Sequence, residues 1–195
     1  MRSRNRPQVR IRTGAYFAAA LGLLLLPVQW CAAALIAGFF HELCHYGMIR
    51  FTGGRVEKME IGAAGAIMET APMDSLPELI CALAGPIGGG LLMLAGRWFP
   101  RVAICAALQT AWNLLPIYPL DGGRAVRAAL CAVLPEGAAV RLATGLQRCA
   151  AVGVAAAFFW CFFRWRYSIW FVAGAIPLLL RVGKIACKST ESRVQ

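Results

Sequence analysis

Residues 31–49 read CAAALIAGFFHELCHYGMI, ten uncharged residues running straight into His41-Glu42-Leu43-Cys44-His45. On a helix, positions four apart differ by about 40° around the axis, so the two imidazoles point the same way and can share one metal ion. Glu42 follows directly and sits where a base is needed. The sequence has two histidines in all, and both fall in this motif. An ionisable cluster on an apolar helix is costly in lipid unless it is paired or metal-bound, which makes it a functional site by default.

Working outward, the apolar run begins at Ala15 and is interrupted by Pro27, Gln29 and Trp30, residues that suit a tight interfacial turn between two helices over 15–28 and 31–49. Further apolar runs cover 77–96, 102–120, 140–163 and 167–183, with a helical connector over 124–134. Between the second and third runs lies the more polar segment 50–75. Its Gly53-Gly54 turn and Val56, Met59 and Ile61 suggest a short β-hairpin or re-entrant piece. The expected fold is an all-α polytopic membrane protein of about six transmembrane helices. It forms a single domain over residues 1–195, with tails at 1–13 and 184–195.

Composition agrees. Of 195 residues 59% are apolar and 15% charged, where a soluble domain has about a quarter charged. The net charge of +11 does not point to nucleic acid, because the basic residues flank apolar runs and carry no aromatic-rich stripe between them. Arg2, Arg4, Arg6, Arg10 and Arg12 precede the first run as a cytoplasmic anchor. With six alternating spans and an inside amino terminus, 16 of the 20 Lys and Arg lie on the cytoplasmic side, the orientation that charge bias favours. The eight cysteines stand singly, mostly inside apolar runs, and form no CxxC pair. They read as small hydrophobes rather than a disulfide framework.

Two neutral imidazoles suit zinc, which takes four ligands and in catalytic sites keeps one position open for water. With no third histidine, the third protein ligand is a carboxylate or a thiolate. Glu69 lies 24 residues after His45, a spacing used by some soluble metalloproteases. Asp121 ends the fourth run at the same cytoplasmic depth as the motif, and depth favours it. Its setting is Asn113-Leu114-Leu115-Pro116-Ile117-Tyr118-Pro119-Leu120-Asp121-Gly122-Gly123-Arg124, in which Asp121-Gly122-Gly123 also reads as a plain turn.

The HExxH helix, Ala84-Gly85-Pro86 in the third run and this N-L-L-P-x-x-P-L-D-G-G-R run together resemble the site-2 protease family of intramembrane zinc metalloproteases, in its stage IV sporulation protein FB-like branch. The resemblance is close from the second to the fourth run and compositional elsewhere. It implies that His41, His45 and Asp121 ligate zinc, that Glu42 is the general base activating water, and that Asn113 holds substrate or the developing oxyanion. A peptide substrate is likewise implied by the resemblance, not by composition or periodicity.

The implied activity is cleavage of a membrane-tethered or membrane-associated protein near the cytoplasmic face, by resemblance a sporulation pro-transcription factor. The implied partners are that substrate, the lipid bilayer and regulatory membrane proteins. The implied location is a bacterial cytoplasmic or forespore-surrounding membrane, with both termini cytoplasmic. Two departures stand out. Cys44 occupies a position where the family most often has Gly, open to reading as an inert small residue, a blocking fourth ligand or an oxidation-sensitive brake. Residues 184–195 are read as a short tail without the nucleotide-sensing domain that many members of the branch carry. These departures motivate the alternative, a catalytically silent membrane scaffold or metal-binding protein of the same fold.

Overall fold

The computed structural model describes residues 8–62 and 65–164. The expected sixth span, 167–183, and the carboxy-terminal tail lie outside them. The chain divides after Leu114 into two compact units.

The first unit contains strand β1 (Gln8–Ile11), helices α1 (Thr13–Leu25) and α2 (Val28–Phe51), strands β2 (Val56–Gly62) and β3 (Gly65–Thr70), and helices α3 (Ser75–Leu94) and α4 (Pro100–Asn113). Helices α2, α3 and α4 pack against one another. The buried residues of α2 are Ala33, Ala37, His41, His45 and Ile49, a row at intervals of four that makes one stripe along the helix. Those of α3 are mostly Ala and Gly, with Pro86 inside the helix. Large apolar side chains point the other way; Leu35 is 73% exposed and Phe39 71%. Small residues inside and large ones outside is the pattern of helices whose outer solvent is lipid.

The hairpin expected over 50–75 is present as β2 and β3, paired antiparallel. Helix α2 ends at Phe51 with Thr52 as its cap, and Gly53 takes φ +80°, a left-handed conformation that glycine adopts without steric cost and that commonly follows a helix end. The basic amino-terminal segment does more than precede the membrane. Gln8–Ile11 adds to the sheet as a third strand, parallel to β2 with Gln8 opposite Lys58 and Ile11 opposite Ile61. Beside this pairing, Arg12 and Lys58 both reach the buried Glu60 carboxylate. The hydrogen bond from Lys58, helped by Arg12, holds that carboxyl below the usual carboxylate range.

The second unit contains α5 (Asp121–Val133) and α6 (Glu136–Arg164). They pack through Ala125 and Ala128 on α5 and through Ala139, Ala143, Gln147 and Ala151 on α6, all buried. The second α6 set again recurs every four residues.

Two boundaries differ from the sequence reading. The fourth helix stops at Asn113, not at 120, because Pro116 and Pro119 lack the N–H a helix needs and push the residues before them out of helical backbone. The connector helix begins at Asp121 itself, so Asp121-Gly122-Gly123 opens a helix rather than closing a span. Among the described residues, three helices are long and apolar enough to cross a membrane, covering Val28–Phe51, Ser75–Arg97 and Glu136–Cys161. Helix α1 has 13 residues and α4 has 14, each about 20 Å at 1.5 Å per residue, short of a hydrocarbon core of about 30 Å.

Candidate metal centre

His41 and His45 lie one turn apart on the buried stripe of α2 and are 2% and 6% exposed. Their rings meet edge to face with centroids 4.8 Å apart, and the two Nε2 atoms face each other at 3.2 Å. The other nitrogen of His45 is committed: Nδ1 donates to the Cys81 carbonyl on α3 at 2.8 Å. A carbonyl can only accept, so Nδ1 carries the proton and the Nε2 of the neutral ring presents its lone pair, the arrangement that metal-ligating histidines adopt.

These distances fit a metal. Two nitrogens bound to one tetrahedral zinc at 2.0–2.1 Å stand about 3.3 Å apart, close to the 3.2 Å observed. Helix α3 packs close in the same place. A Cβ added at Gly85 would fall 2.2 Å from His45 Nε2 and 2.7 Å from both Nε2 and Cε1 of His41. Glycine at this point of Ala84-Gly85-Pro86 therefore lets α3 approach the two rings where no side chain would fit.

Asn113, the last residue of α4, is half-buried and its Nδ2 donates to His41 Nε2 at 3.2 Å. The resemblance implied a role for it with substrate or oxyanion; in the first unit it lies against the His41 ring. Glu42 follows His41 on α2 and is half-buried. Cys44 has a steric environment: its Sγ lies where a Cβ of Gly88 would need to be, 2.3 Å from that position. Glu69 lies on β3 and has its side chain 59% exposed, 3.9 Å from Lys58 Nζ.

In the second unit, Asp121 is the first residue of α5 and is 8% exposed. Gly122 and Gly123, also buried, follow it. A Cβ at Gly123 would come within 2.5 Å of the Ile117 carbonyl carbon and the Tyr118 nitrogen, so the preceding Pro-x-x-Pro segment crosses directly over the first turn of the helix. The second glycine of the D-G-G run is thereby explained by backbone contact.

Cys81 is the participant that sequence reasoning missed. It read as a small hydrophobe, yet its carbonyl orients His45 and its Sγ lies 3.5 Å from Thr52 Oγ1 at the end of α2. A backbone carbonyl leaves no mark in a sequence; the adjacent A-G-P run was the available signal.

Comparison with known proteins gives a consistent picture. No protein-family model matches the chain. It is 30% identical over 107 residues to a zinc metalloprotease of Methanocaldococcus jannaschii, covering 46% of this chain and 31% of that protein. It is 27% identical over 149 residues to stage IV sporulation protein FB of Bacillus subtilis, covering 69% of this chain and 52% of that protein. The chain thus spans about a third and about half of these curated relatives. Among solved structures, a site-2 protease from Methanocaldococcus jannaschii matches with a TM-score of 0.66 at 16% identity, over 90% of this chain and 89% of that one. At that identity the match establishes the fold. Together these matches support the resemblance to the site-2 protease family.

Proposed function

We propose that the chain is an intramembrane zinc endopeptidase of the site-2 type, with zinc held by His41, His45 and Asp121 and with Glu42 as general base. The observation that carries this reading is the 3.2 Å approach of the two Nε2 atoms on an apolar helix, with Glu42 as the next residue. Asp121, buried at the start of α5, is the carboxylate that the resemblance assigns as third ligand, and the fold and relatives above support the class of chemistry.

Zinc in such a site supplies a Lewis acid that polarises the scissile carbonyl and acidifies water at neutral pH. The protein side chains do the rest. Glu42 takes the proton of the attacking water and delivers it to the leaving amine. Asn113 directs its side-chain amide into the same small space and supports the oxyanion as it forms. The buried setting, lined by Ala, Gly and the two rings, strengthens each of these interactions relative to water.

In the full reading, the centre lies near the cytoplasmic face of the membrane, and the substrate is a membrane-tethered or membrane-associated protein such as a sporulation pro-transcription factor. The sheet offers a way to hold an unwound substrate as an added strand. The alternative, a catalytically silent scaffold, rests in part on Cys44; the Sγ of that residue lies 2.3 Å from where a Cβ of Gly88 would stand, a contact that favours a packing role for the thiol. The test is cleavage of candidate membrane-associated proteins co-expressed with wild type and with Glu42→Gln. Wild type is expected to cut and Glu42→Gln to retain zinc without cutting; cleavage by Glu42→Gln contradicts the mechanism.

A further inference from the structure

On α6 the buried row Ala139, Ala143, Gln147 and Ala151 contains one residue that does not belong to a packing stripe of small apolar side chains. Gln147 is 5% exposed, inside a helix apolar enough to cross a membrane. Burying an amide without a partner costs a few kcal/mol, and this one has a specific partner: its Nε2 donates to the Gly123 carbonyl at 3.1 Å. Gly123 is the third residue of α5, two beyond Asp121. It is held from another direction by the Ile117–Tyr118 backbone, which a Cβ there would meet at 2.5 Å. The first turn of α5 is thereby fixed both by the segment that leads into it and by a side chain of the following helix.

We propose that Gln147 is a positioning residue for Asp121: by tying the Gly123 carbonyl to α6 it sets the position and angle at which α5 starts, and so pre-organises the Asp121 carboxylate. This rests on the reading of Asp121 as a metal ligand. It gives α6, which the motifs leave without a role, a part in the metal centre. A ligand at the first position of a short helix is only as well placed as that helix's first turn; hydrogen bonds made directly to a ligand are typically worth about 10- to 100-fold in metal affinity, and this bond acts one step further out, at the lower end of that range.

The experiment is a zinc titration of the purified full chain against a competing chelator, for wild type, Gln147→Leu, Asp121→Ala and the double variant, with the cobalt-substituted absorption spectrum recorded for each. Gln147→Leu is expected to weaken zinc by about tenfold and to change the cobalt spectrum, and to add nothing in the Asp121→Ala background, since it acts through that carboxylate. Gln147→Met, of similar length and without a donor, gives the same comparison should Leu disturb the packing. An unchanged zinc affinity in both Gln147 variants, or an equal loss with and without Asp121, overturns the proposal. Asp121→Ala binding zinc as wild type does would instead overturn the ligand assignment beneath it.

Discussion

His45 Nδ1 donates to the main-chain carbonyl of Cys81 at 2.8 Å, across 36 positions of sequence. This bond ties α2 to α3 and decides which ring nitrogen keeps its lone pair. Because the acceptor is backbone, substitution of Cys81 leaves it in place, and the geometry is best probed by what α3 presents beside it.

Gly85→Ala places a methyl group against both Nε2 atoms, at 2.2 and 2.7 Å before any relaxation. The expected outcome is a loss of zinc affinity of about 10- to 100-fold, with helical content retained. Elemental analysis beside circular dichroism checks this. Gly90→Ala on the same helix has nothing within 4 Å of the added Cβ and should leave zinc content unchanged.

Gly88→Ala meets Cys44 Sγ at 2.3 Å and its Cβ at 2.9 Å. Overpacking of this kind costs about 1–3 kcal/mol. Cys44→Gly removes the opposing atoms, so the double variant should recover most of the loss in thermal unfolding. Non-additivity of this sign is what two side chains competing for one space produce. Additive losses would remove the steric account of Cys44.

Glu60 on β2 pairs with Arg12, the residue that follows β1, and with Lys58 of its own strand, and these cations hold its carboxyl below the usual range. A depressed carboxyl contributes stability that is complete above its unfolded-state value and is lost as pH falls through the lowered one. The protection of the Val9 to Arg12 amides against hydrogen exchange, relative to the intrinsic rate at each pH, should therefore fall on acidification below the ordinary carboxylate range. Glu60→Gln should exchange faster already at neutral pH and lose that acid dependence. Unchanged exchange in the variant would separate the ion pairs from the hold on β1.

What could be read in the sequence was local. The spacing of His41 and His45 requires a helix to act as a pair, and the apolar run supplies one; both rings lie on the buried stripe as that spacing demands. The Gly53 turn and the hairpin followed from turn chemistry. Pro116 and Pro119 already signalled the early end of α4, but the apolar character of 114–120 outweighed them in the reading. Strand β1 was not legible: Gln8–Ile11 has two polar and two apolar residues, and its pairing partner lies some fifty positions away. The same holds for the Cys81 carbonyl and the Gln147 amide, whose importance comes from a partner brought close only by packing.

X-ray absorption at the zinc edge of the purified full chain tests the central claim most directly. The account predicts a first shell of nitrogen and oxygen only, at 2.0–2.1 Å, with outer-shell scattering from two imidazoles. A sulfur shell near 2.3 Å, or scattering from fewer than two imidazoles, would contradict it.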